Sequence, residues 1–111
     1  MMNEIDVSGG FDLGCYHFEV ATDAATDAEL RSRQRYGECS CTRIIVSIST
    51  DFSPDQYHNT FLHELAEAVN ENNCNGKVNH DAITNLANGF SQAFKSMGIR
   101  FTHPKMKTRG K

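Results

Sequence analysis

A helix with histidine and glutamate four residues apart presents an imidazole and a carboxylate on one face, and such a pair can share one cation. The run His63-Glu64-Leu65-Ala66-Glu67 has this spacing. Glu64 falls about 100° round the helix from His63, outside the ligand plane but within reach of a water beside the cation. Two ligands at i and i+4, with a glutamate at i+1 as general base, is the arrangement zinc peptidases use. The spacing therefore nominates His63 and Glu67 as ligands and Glu64 as the base. A catalytic zinc takes a third protein ligand and keeps one position open. His80 is the best candidate for that ligand, and Asp81 is the alternative at the same place. With His80 the set is two imidazoles and one carboxylate, as in thermolysin-like enzymes. The competing reading makes these residues solvated charges on the polar face of an amphipathic helix.

Two helices must position this set. Ser53-Pro54-Asp55-Gln56 reads as a helix start, with Ser53 as N-cap, Pro54 at the first position and Gln56 closing a capping box. Tyr57, Phe61, Leu65, Ala68 and Val69 then recur at helical spacing, and the run 72–76 (Asn-Asn-Cys-Asn-Gly) ends the helix. A second helix opens at Asn79, with Asp81 in its first turn. Ile83, Leu86, Ala87, Phe90, Phe94 and Met97 follow a 3-4 rhythm, its Phe and Ile stripe reads as core, and Gly98 suits the position after the cap. A short linker folds the second helix back and brings His80 toward the first.

The first half reads as strands. Tyr16, Phe18 and Val20 alternate with His17 and Glu19, after a turn at Gly14. The β-branched run at 43–49 predicts a more buried strand, and Ile5 to Val7 a short one. Residues 21–42 fit either a polar helix over 27–35 or a long hairpin loop. Strands followed by a helix pair predict an α+β fold, as one domain over residues 1–111.

Composition narrows the function classes. The chain is 39% hydrophobic, with a mean hydropathy of -0.50, and no apolar run reaches the roughly 18 residues of a membrane span. No secretory signal is visible, which points to a cytoplasmic protein. The last 12 residues carry five basic side chains, whereas all 14 acidic ones precede them, giving a net charge of -3. Residues 100–111 read as a basic, partly disordered tail, and the acidic body argues against nucleic acid as partner. Cys15, Cys39, Cys41 and Cys74 read as ordinary reduced thiols, since Cys39-Ser40-Cys41 lacks the second pair of a structural zinc site. His17, His58 and His103 read as surface histidines. Tyr16 and Tyr57 could donate to an oxyanion but read first as packing.

The run 63–70 (His-Glu-Leu-Ala-Glu-Ala-Val-Asn), then Asn79-His80-Asp81-Ala82-Ile83, Leu86-Ala87 and Gly89-Phe90, resembles small zincin-like metallopeptidases common in phages and prophages. The upstream Thr60-Phe61-Leu62 and the strand at 43–49 match that family's layout. The resemblance covers residues 43–94 well and the N-terminal part loosely. It implies a minimal zincin, a small sheet with one strand beside the active-site helix. It also implies His63, Glu67 and His80 as zinc ligands and Glu64 as base. The chain departs from the pattern at Glu67, where most zincins have a second histidine, so another divalent cation is compatible. The expected function is a zinc-dependent peptidase acting on a protein or peptide substrate. The alternative is a catalytically inactive metal-binding module of regulatory type, in which the metal is a structural clasp.

Overall fold

The chain lays down most of its strands first and its long helices second. In the computed structural model, which describes residues 2–107, ten elements follow one another. They are β1 (Asn3–Asp6), β2 (Phe11–Leu13), β3 (Tyr16–Ala21), α1 (Ala24–Ser32), β4 (Gly37–Ser40) and β5 (Ile45–Ile48). After these come α2 (Pro54–Cys74), α3 (His80–Ser96), β6 (Ile99–Thr102) and α4 (Pro104–Lys107). The fold is α+β, as expected. A four-stranded sheet has the order β2-β3-β5-β4, with β3 and β5 parallel and the outer pairs antiparallel. A separate parallel pair joins β1 to β6.

The segment left open between helix and loop contains both α1 and β4. Asp23 caps α1 by accepting from the Thr26 amide. The helix turns Asp27 inward, where its carboxylate accepts from the amide (3.0 Å) and the hydroxyl (2.5 Å) of Thr50. Leu30 is its one large buried apolar side chain. A helix anchored by one leucine and one buried aspartate carries almost no apolar stripe, which is why periodicity could not find it.

Val46 and Ile48 of β5 bury fully and meet Phe18, Tyr57, Phe61 and Leu62 in the core. Phe11 stacks on Phe18 and meets Phe61 edge-on, and Phe61 continues to Phe101 at 5.2 Å. Burial of such rings is the main stabilising term, about 1.5–3 kcal/mol for each large side chain.

Residues 100–107, grouped by charge with a basic tail, are built into the fold. Arg100 sits opposite Glu4 in the β1–β6 register and pairs with Glu4 and Asp55. Met106 is 1% exposed and belongs to the core, and the Lys105 ammonium donates to the Thr22 carbonyl. Strand pairing and an apolar anchor thus override the charge pattern. The rest of the expected tail, residues 108–111, lies outside the described residues. Among the described residues no helix is long and apolar enough to cross a membrane.

Candidate metal centre

Helix α2 begins as its sequence predicts: Ser53 Oγ accepts from the Gln56 amide, and Pro54 occupies the first position. The capping box does not close, because Gln56 Nε2 donates to Thr60 Oγ1 one turn ahead. The helix runs on through Asn72 and Asn73 to Cys74, then stops at Asn75 and Gly76, both with positive φ. Its middle carries His63, Glu64 and Glu67.

The turn into α3 is held by a residue whose role the sequence reading did not single out. Asn70 is buried, and its side chain amide donates to the Val78 carbonyl (2.9 Å) while its oxygen accepts from the Val78 amide (3.0 Å). This two-point clamp fixes the linker just before Asn79, which caps α3 by accepting from the Ala82 amide at 2.8 Å. His80 follows at the start of α3, beside Glu67. The available signal was an asparagine three residues beyond Glu67 in a helix interior, where that residue type competes with the backbone.

His80 Nδ1 lies 3.0 Å from Glu67 Oε2, and His63 Nε2 lies 3.6 Å from the same oxygen. The two imidazole centroids are 5.4 Å apart. One ligand atom from each of the three residues lies within 4.8 Å of the other two. Ligands on one tetrahedral zinc, with bonds of about 2.1 Å, stand roughly 3.4 Å apart, so small rotamer changes close the set. The His63–Glu67–His80 group can therefore hold a metal ion. Burial holds the His63 imidazole below its ordinary pKa, partly offset by Glu67, and a neutral imidazole is the form that binds metal. Asp81, the other candidate for the third ligand, is not part of this group.

Glu64 sits apart from the three, buried against β4. A Cβ added at Gly37 would come 2.7 Å from Thr60 Cγ2 and 3.3 Å from Glu64 Cγ, so only glycine lets β4 approach α2 this closely. Burial, reinforced by Glu67 and Glu38 and opposed by Arg35, pushes the Glu64 carboxyl up to about 8. A cleft of about 1280 Å³ opens between β4, α2 and α3. Glu64, His63, Glu67 and His80 line it together with Cys39 and Cys41.

The remaining candidates fall elsewhere. Tyr57 is a core residue whose buried hydroxyl finds no hydrogen-bond partner among the described residues, and Tyr16 is exposed. Neither lines the cleft. His17 is exposed and pairs with Asp12, and His103 is half-buried. His58 is not a surface residue but is fully buried. It accepts from the Phe101 amide at Nδ1 (3.0 Å), donates from Nε2 to the Ser91 carbonyl (3.1 Å), and stacks on the Phe101 ring. Comparison with family models, curated proteins and solved structures finds no match, so the site rests on its own geometry.

Proposed function

We propose that this chain is a zinc-dependent peptidase of the zincin type, acting on a protein or peptide. The observation that carries the reading is the convergence of His63, Glu67 and His80 on one cleft wall, with the buried Glu64 lining the same cleft. His63, Glu67 and His80 would hold the zinc ion, which would supply Lewis acidity toward a scissile carbonyl and a water with its pKa lowered toward about 7. Glu64 does the proton work. It takes a proton from the attacking water and passes it to the departing amine. β4 is an edge strand of its sheet and lines the cleft, so it can hold an extended chain by main-chain pairing.

The test is Glu64→Gln, which keeps size and helix propensity and removes the proton acceptor. Zinc content should match the parent, while cleavage falls at least about 100-fold. The assay is a phage or host lysate with mass-spectrometric detection of new termini. His63→Ala should lose zinc and cleavage together. Cleavage that survives Glu64→Gln unchanged sinks the mechanism.

The clasp reading has one observation in its favour. The cluster bridges two helices, with Glu67 from α2 already bonded to His80 of α3. Zinc at 100 times its Kd should then stabilise the native state by about 2.7 kcal/mol, and EDTA should reverse it. That stabilisation is common to both readings. Only the loss of cleavage in Glu64→Gln belongs to the enzyme.

A further inference from the structure

Cys39 ends its side chain 3.6 Å from that of Cys41, sulfur to sulfur, on the wall of the cleft. Cys39 lies in β4 and Cys41 in the turn that follows it. A disulfide bond of about 2.05 Å needs the two sulfurs to approach by only about 1.5 Å. Both thiols are half-buried against the core, so neighbouring side chains limit their excursions while the cleft admits a small molecule. The other two cysteines are exposed, Cys15 in the β2–β3 turn and Cys74 at the end of α2.

We propose that Cys39 and Cys41 form a dithiol redox site that reacts with low-molecular-weight disulfides. One thiol, as its thiolate, attacks a sulfur of the incoming disulfide and expels the first small thiol, leaving a mixed disulfide on the protein. The second cysteine then attacks the protein sulfur and expels the second small thiol. Two protein thiols are oxidised, one small disulfide is reduced to two thiols, and the two protons pass to the leaving thiolates. The closed pair lies between β4 and the turn to β5, so oxidation changes the wall beside Glu64 and Glu67. Burial, the contact with Cys41 and those two carboxylates hold the Cys39 proton more tightly than an ordinary thiol's.

The experiment uses the full chain with Cys15→Ser and Cys74→Ser, both exposed positions, incubated with oxidised glutathione. Tryptic cleavage after Arg35 and Arg43 isolates Cys39 and Cys41 together in one peptide, Tyr36 to Arg43. The expected result is a peptide lighter by two hydrogens, with no glutathione attached, and a free-thiol titre that falls to zero. Adding Cys39→Ser should instead trap one glutathione on Cys41. In the unsubstituted chain, peptide mapping should place the same internal bond between Cys39 and Cys41. Thiols that stay reduced, two glutathiones retained on the pair, or a bond from either cysteine to Cys15 or Cys74 would overturn the proposal.

Discussion

His58 and His63 stand five residues apart on α2 and do opposite things. The His58 ring is enclosed, and backbone groups use both of its nitrogens: the Phe101 amide on β6 and the Ser91 carbonyl on α3. It joins three elements and has no capacity left for a ligand. His63 is half-buried on a cleft wall, 3.6 Å from a carboxylate oxygen, beyond an ordinary hydrogen bond. The same side chain is structural when backbone groups use both its nitrogens, and becomes a candidate ligand when it faces other side chains that bind cations.

The largest effect that tests this contrast is His58→Ala. It leaves a cavity in the α2–α3–β6 junction and strands a buried donor and a buried acceptor. The expected loss is about 3–4 kcal/mol in urea unfolding of metal-free protein. His63→Ala on its half-exposed face should cost less than about 1 kcal/mol under the same conditions. Equal losses would erase the distinction.

A smaller effect separates the two histidines by pH. Burial lowers the pKa of His58, and of His63 and His103 in the same direction, from an ordinary value of 6.5. Below pH 6.5 the unfolded chain takes up protons that the native chain refuses, so stability falls as pH falls toward the depressed native values. Glu64 has the opposite sign, because its carboxyl is raised from 4.5 to about 8 and its contribution is lost as pH rises through that range. The measurement therefore belongs in Glu64→Gln, which removes that contribution and leaves the exposed His17, raised by its hydrogen bond to Asp12, on the opposing side. Each unit of depression contributes about 1.4 kcal/mol. Saturating zinc should steepen the acid limb, since protons compete for His63 and His80, and His63→Ala should abolish that effect of zinc. A slope indifferent to zinc would remove the metal from the comparison.

What was legible follows the range of the interactions. Helix starts depend on neighbouring residues, so Ser53 and Asn79 could be read directly, and so could the i, i+4 pair His63 and Glu67. His58 could not, because its partners, Ser91 and Phe101, are distant in sequence and are backbone groups that no residue type announces. β6 was hidden for a related reason. Its four residues include Arg100, and its pairing partner β1 lies at the other end of the chain. Asn70 was visible as a residue but not as a clamp, since its function exists only once the α2–α3 turn has formed.

The smallest expected effect concerns α3, whose Phe and Ile stripe read as core. Ile83, Ala87 and Ser91 face inward and are buried, with Phe94 half-buried beside Phe101. Leu86 and Phe90, at 52% and 53% exposure, and Met97 lie on the other side of the same stripe. Spacing alone cannot tell a stripe that is covered throughout from one covered along half its width. Ile83→Ala removes buried methyl groups and should cost about 2–4 kcal/mol. Leu86→Gln changes an exposed side chain at nearly constant helix propensity and should stay within about 0.5 kcal/mol. Urea unfolding of the two variants side by side makes the test independent of any metal or substrate. If Leu86→Gln cost as much as Ile83→Ala, the outer half of the stripe would be covered in solution. The division of α3 into a buried side that seats His58 and an open side would then have to be abandoned.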